Sequence, residues 1–289
     1  ADLAEKMAAE CKDEKRKAEL LTMAADCRIV PEYPAQTFQQ VLQLILLTHC
    51  TIMIENNGYH HPIGRLDQYL YPFYQKALAE GQTEEFLSDL IHEFKIRFEE
   101  MWYLRSAGEA EAYPGCALYM HIVLGGMKPD GSDACNELTR LILRGMDNLQ
   151  TKEPCISFRY HEKVDEETFR LAMKIALNGD SHPAFFNDGA NILSLQELGF
   201  TLEEARDYAL VGCTEAIVAG KSDYQSNTGF FNALKVFELA LNDGKDPVTG
   251  KQVGPHTGDA RDFISVKELQ AAYVIQQEYF VRMFVKMFD

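Results

Sequence analysis

The chain has 289 residues, 46% of them hydrophobic, which is enough to bury a large core and excludes a disordered or fibrous segment. A net charge of -16, from 28 Lys and Arg against 44 Asp and Glu, opposes nucleic acid or an anionic membrane as partner and leaves a small molecule as the better expectation. The seven cysteines (Cys11, Cys27, Cys50, Cys116, Cys135, Cys155 and Cys213) are odd in number and lack paired spacing, so reduced thiols in a cytoplasmic protein are expected rather than a disulfide framework. With no Cys-x-x-Cys and no His-x-x-x-His, no metal site is expected.

In chain order, residues 2–27 carry apolar side chains near a 3.6 period and predict an amphipathic helix that Pro31 and Pro34 end. Residues 37–54 predict a second helix, apolar on most sides and therefore core; its run from 41 to 54 is too short to span a bilayer. The first residues form a charged helix pattern rather than the apolar core of a secretory signal. Residues 56–65 read as a loop carrying Tyr59, His60 and His61, a pocket wall in which one histidine faces a substrate or a carboxylate. Tyr69, Tyr71, Phe73 and Tyr74 are expected as core aromatics.

A helix over 83–105 follows, then a strand over 119–124 and a glycine turn over 125–131. Residues 133–149 predict a helix with Ser132 as its N-cap, and 154–161 a short strand. A helix over 165–177, a strand over 184–186 and a helix over 187–198 complete an alternation that places the chain in the α/β class, as an open sheet or a barrel. No repeat or linker is evident, and residues 1–289 read as one domain piece.

Residues 208–211 then form a short apolar run that stops at Gly212, so Cys213 and Glu215 are delivered at a strand end. Extended backbone would aim both side chains to one face, a thiol and a carboxylate looking into one cavity. Taken alone, Cys-x-Glu leaves three readings open: a catalytic pair, a passive core cysteine in a structural module, or a thiol nucleophile with His60, His61 or His182 as base.

The surrounding text narrows them. Asn187-Asp188, the run Gly199-Phe200-Thr201-Leu202-Glu203-Glu204-Ala205-Arg206-Asp207-Tyr208, and Gly229-Phe230-Phe231-Asn232 flank the cysteine, and Gly64-Arg65-Leu66-Asp67-Gln68-Tyr69-Leu70-Tyr71-Pro72-Phe73-Tyr74 lies upstream. Together they resemble the glycyl radical enzymes, the superfamily of pyruvate formate-lyase, the diol dehydratases and choline trimethylamine-lyase. The resemblance implies a ten-stranded α/β barrel in two five-stranded halves, with the reactive cysteine on a hairpin-like loop inside. It implies Cys213 as the thiyl-forming residue and Glu215 as acid and base. It also implies substrate-binding roles for Tyr59, His60, Ser226, Asn227 and Phe230.

Departures from the family pattern shape the expected chemistry. Thr214 stands where pyruvate formate-lyase has a second cysteine, so acyl transfer is not expected. Ser226 and Asn227 replace the His-Asp of the polyol-binding group, and a neutral amide cannot accept a proton. Arylacetate-type decarboxylation or another carbon–carbon or carbon–heteroatom cleavage by a lyase is expected ahead of diol or hydroxyproline-type dehydration. The glycyl loop motif Arg-Val-x-Gly-Tyr does not occur in these residues. The chain is therefore expected to be an internal catalytic-domain segment, silent alone, whose cofactor is a protein-derived glycyl radical outside it. A radical S-adenosylmethionine activating enzyme and a homodimer are the implied partners.

Overall fold

The computed structural model describes residues 1–56, 60–101, 104–112, 118–149, 151–179, 182–222 and 231–287. It falls into two compact units, Ala1–Ser226 and Asn227–Asp289, although no linker composition marks the division.

The first unit opens with α1 (Asp2–Glu10) and α2 (Glu14–Ile29), where the sequence predicts one helix. Asp13 breaks it: its carboxylate accepts the Arg16 N–H, the N-cap role that short acidic side chains fill better than a helix interior. Helix α3 (Phe38–Asn56) is buried mainly over its first turns, at Phe38, Val41 and Leu42, while Ile54 is 88% exposed. Its all-round apolarity thus exceeds what the described residues cover, and only part of it is core. Next come α4 (Leu66–Tyr69), α5 (Tyr71–Ala79), α6 (Glu84–Glu99) and α7 (Ala107–Ala112). Tyr74 is buried and Tyr71 and Phe73 pack against the core, but Tyr69 is 41% exposed, its hydroxyl donating to the Ile63 carbonyl.

The strands β1 (His121–Gly125), β2 (Cys155–Tyr160) and β3 (Ala184–Asn187) form a parallel sheet in that order, joined by α8 (Glu137–Asn148) and α9 (Glu166–Ala176). Helix α8 begins later than predicted. Ser132 is held in a turn by Asp130, and Asn136 caps the helix instead, in a reciprocal box with Thr139. After α10 (Asp188–Glu197) and α11 (Leu202–Arg206), β4 (Tyr208–Val211) and β5 (Glu215–Val218) pair as an antiparallel hairpin. The described residues are therefore α/β, with one three-stranded parallel sheet and one two-stranded sheet.

Alternation along β1 and β2 sorts their side chains between two faces. Ile122, Leu124, Ile156 and Phe158 join the main apolar core with the helices. His121, Val123, Cys155, Ser157 and Arg159 occupy the other face, on which Val123 packs with Tyr208, Ala209 and Leu210 of β4. The hairpin thus lies over the polar face of the sheet.

Its base is fixed by buried charge. Arg159 is fully buried and pairs two-pronged with Asp188, Nε to Oδ1 at 2.8 Å and Nη2 to Oδ2 at 2.9 Å. The same guanidinium donates to the carbonyls of Arg206 and Tyr208, both at 2.8 Å, and lies 3.7 Å over the Tyr208 ring. Asp188 in turn accepts the Tyr208 hydroxyl and the Met127 N–H. Arg65 adds bonds to the carbonyls of Gly125 and Met127 and to Asp207, and the buried Asp67 accepts the Gly125 N–H and the Thr139 hydroxyl. Gly126, at φ 80°, leaves room for this arrangement, since a Cβ there would sit 2.5 Å from Arg159 Nε.

In the second unit α12 (Ala233–Leu241) packs against α13 (Val266–Val285) around an apolar groove of about 310 Å³ that includes Phe231, Leu239 and Phe280. Among the described residues no helix is long and apolar enough to cross a membrane.

Removing one member of a buried ion pair strands the other without solvent, which costs roughly 3–5 kcal/mol. Arg159→Met is expected to destabilise the first unit by about that amount. The double variant Arg159→Met/Asp188→Leu should recover part of the loss, measured as the shift in urea midpoint at constant slope.

Candidate functional site

Cys213 sits in the turn that joins β4 to β5, between Val211 and Glu215, which pair across the hairpin. Gly212 enters the turn at φ 59°, a conformation that glycine adopts without a steric penalty. The missing side chain has a second use: a Cβ on Gly212 would lie 2.6 Å from Glu215 Oε2, so the carboxylate folds back over that glycine. There it also accepts the Thr214 N–H at 3.0 Å. Thiol and carboxylate are thus brought together by the turn, not by the alternation of an extended segment. Both residues are exposed in the described chain.

Burial first, and the Glu215 carboxylate second, push the Cys213 thiol above its ordinary range. At neutral pH it therefore stays S–H. That is the wrong state for a thiolate nucleophile and the right one for a donor of hydrogen atoms.

His121, at the start of β1, is buried directly beneath the turn. Its Nε2 donates to the Gly212 carbonyl at 2.6 Å and its Nδ1 is 2.8 Å from the Ser157 hydroxyl on β2. His60 is buried at φ 66°, its N–H donating to the Leu118 carbonyl, and its ring meets the Tyr119 ring edge-on at 5.3 Å. Burial lowers the pKa of both histidines, and the Glu215 carboxylate pulls each in the opposite direction, which locates both rings within its field. Tyr119, itself at φ 54°, has its hydroxyl pushed up by burial and then by Cys213, Cys155 and Glu153. Non-glycine residues in the left-handed region are uncommon, and two of them face one another here.

Glu153 holds this wall. Its buried carboxylate accepts the N–H groups of Leu118, Tyr119 and Met120 at 2.7, 2.9 and 3.2 Å. The Cys155 sulfur approaches Glu153 Oε2 at 3.8 Å, and burial followed by the Glu153 charge pushes that thiol far up. Cys155 is thereby kept protonated near Cys213.

Of the residues singled out from sequence, the structure places Cys213, Glu215 and His60 in one neighbourhood; Tyr59, Ser226, Asn227 and Phe230 lie outside the described residues. Sequence reasoning missed Tyr119, His121, Glu153, Cys155 and Ser157. The signal for two of them was present in Cys155-Ile156-Ser157-Phe158-Arg159, where polar and apolar residues alternate and mark a strand with one polar, functional face. Among the described residues the site is two protonated thiols, two carboxylates, two neutral histidines and a tyrosine, a set suited to moving hydrogen between small-molecule oxygen and carbon.

Comparisons with known proteins agree in direction. At the level of curated relatives, the chain is 34% identical over 281 residues to the (2S)-3-sulfopropanediol dehydratase of Klebsiella oxytoca, covering 96% of this chain and 34% of the relative. It is 34% identical over 286 residues to the isethionate sulfite-lyase of Nitratidesulfovibrio vulgaris, covering 98% and 34%. A solved structure concerned with 1,2-propanediol dehydration in Roseburia inulinivorans superposes with a TM-score of 0.90 at 33% identity, over 98% of this chain and 36% of the other. The chain thus spans about a third of the length of the curated relatives it matches. The family described as pyruvate formate lyase-like matches residues 1–289 throughout, and this chain belongs to it, within the glycyl radical enzymes.

Proposed function

We propose that the chain carries the hydrogen-abstracting part of a glycyl radical enzyme that eliminates a small leaving group from a hydroxylated substrate. Cys213 moves the hydrogen atom and Glu215 the proton. The observation that carries this reading is the turn itself: a protonated thiol in the three-residue loop and a carboxylate on the strand residue that closes it, folded back over Gly212, are brought together. The names of the relatives support elimination, since a dehydratase expels water and a sulfite-lyase expels sulfite. The ten-stranded barrel, a radical S-adenosylmethionine activating enzyme, a homodimer and a cytoplasmic setting belong to the same proposal.

In the complete, activated enzyme a glycyl radical would supply the one-electron chemistry, and Cys213 is the residue of this chain that would give up a hydrogen atom to it. The exposed S–H fits that need, because a hydrogen-atom donor must not already be ionised. The Cys213 sulfur next takes a hydrogen atom from the hydroxyl-bearing carbon of the substrate, so S–H re-forms and the unpaired electron passes to carbon. Glu215 accepts the proton of that hydroxyl, a carbonyl forms, and the bond to the leaving group on the neighbouring carbon breaks with its electron pair. Where hydroxide leaves, Glu215 hands it the proton and water departs. Cys213 then returns its hydrogen atom to the product radical. His60, neutral and buried against Tyr119, walls the site and orients polar groups of the substrate.

One sequence observation favours a second reading. The neutral pair Ser226 and Asn227, in place of the His-Asp of polyol-binding members, suits a substrate cleaved at a carbon–carbon bond, as in arylacetate decarboxylation.

In the complete, anaerobically activated protein, Cys213→Ser should retain the fold and the glycyl radical signal in electron paramagnetic resonance while turnover falls to background. Residual activity near that of the parent would remove Cys213 from the role. Glu215→Gln should lower kcat by about 10²–10⁴, the range of general acid and base catalysis, with KM changed little. A parallel screen of diols, hydroxyproline and arylacetates should give turnover on the hydroxylated compounds; turnover confined to arylacetates would overturn elimination.

A further inference from the structure

The residue beneath the cysteine turn has no part in the chemistry just described, yet its geometry is the most constrained of the site. His121 is 4% exposed and Ser157 is fully buried. A backbone carbonyl can only accept, so the 2.6 Å contact between His121 Nε2 and the Gly212 oxygen requires the proton on Nε2. Nδ1 of the neutral ring is then an acceptor, and the Ser157 hydroxyl at 2.8 Å is its donor. The two bonds define one tautomer and one ring orientation. Burial lowers the ring's pKa and keeps it neutral, with His182 adding to that effect and the Gly212 carbonyl and Glu215 opposing it.

The position of this ring in the fold gives the two bonds their consequence. His121 and Ser157 lie on adjacent strands, with His121 paired to Cys155 and Val123 to Ser157, so they are diagonal neighbours on the polar face. That sheet is packed into the main core on its far side by Ile122, Leu124, Ile156 and Phe158. The hairpin turn above it has left-handed backbone at Gly212, and its own side chains are exposed. A short hydrogen bond from the sheet to the carbonyl immediately before Cys213 ties the exposed end of the hairpin to the buried, packed layer.

We propose that His121, oriented by Ser157, is a positioning residue for Cys213: it clamps the Gly212 carbonyl and so fixes the direction in which the turn presents the sulfur. The proposal rests on the hydrogen-atom role of Cys213 for its effect on turnover, but the clamp itself is readable without radical chemistry. A displacement of about 1 Å at a reacting group is enough to cost on the order of 10² in rate.

Three variants of the complete protein test it. His121→Ala removes both bonds; His121→Gln keeps an amide N–H that reaches the same carbonyl; Ser157→Ala frees the ring to turn. Two readouts are taken: kcat and KM of the activated enzyme, and the rate at which iodoacetamide alkylates Cys213 in the unactivated protein, followed by mass spectrometry. In His121→Ala, kcat should fall about 10²-fold with KM within threefold, and the alkylation rate should change severalfold. His121→Gln should restore most of both, and Ser157→Ala should lie between. Equal losses in His121→Ala and His121→Gln, or alkylation unchanged in all three, would overturn the clamp. Should His121→Ala fail to fold, the contrast between His121→Gln and Ser157→Ala decides: wild-type behaviour in both, or an equal defect in both, refutes it. Turnover that survives Cys213→Ser would instead refute the role of the cysteine and leave the alkylation result standing.

Discussion

A guanidinium with no access to water is the constraint on which the rest of the first unit depends. Arg159 cannot be buried without partners for its nitrogens, and the structure supplies each of the three with at least one, from Asp188 and from the carbonyls of Arg206 and Tyr208. Each partner belongs to a different part of the fold: Asp188 starts α10, Arg206 ends α11 and Tyr208 starts β4. Satisfying one side chain therefore fixes the place at which the hairpin leaves the sheet. The ion pair contributes little net stability compared with a well-packed apolar pair, and its value lies in the single arrangement that it permits.

Upon that anchor the sheet divides its labour by face. The apolar face of β1 and β2 packs into the core, and the polar face supplies the groups that meet the hairpin. Two of the carboxylates here act as backbone holders. Asp67 gathers the Gly125 N–H, and Glu153 gathers three successive N–H groups that set the unusual backbone of Tyr119. Burial raises the pKa of both, which reflects the energetic cost of ionising them so far from solvent.

Much of this was legible in the sequence, and the exceptions have physical reasons. Strand and helix alternation over residues 119–211 predicts the α/β class, and the apolar run ending at Gly212 predicts the strand that delivers Cys213. Helix ends differ from expectation at Asp13, which caps a second helix inside a run that reads as one, and at Ser132 against Asn136, where two capping residues compete and tertiary bonds as well as residue type choose between them. The pairing of Cys213 with Glu215 was inferred from extended geometry, whereas a turn and a side-chain fold-back achieve it. The roles of Tyr119, His121 and Glu153 could not be read from spacing, since they depend on strand register and on contacts between residues 33 to 91 positions apart.

Main-chain carbonyls accept the guanidinium donors of Arg65 and Arg159 at Gly125, Met127, Arg206 and Tyr208. A carbonyl is common to every amino acid, so the bonds at Met127 and Arg206 would survive a change of side chain, whereas Gly125 is tied to its backbone angle and Tyr208 to its buried ring and hydroxyl. The scaffold beneath the Cys213 turn is therefore written largely in arginines and backbone, and the side chains at Met127 and Arg206 can change without breaking those bonds. A chain built on this plan can re-tailor part of the surroundings of that turn one residue at a time while the turn itself stays in place.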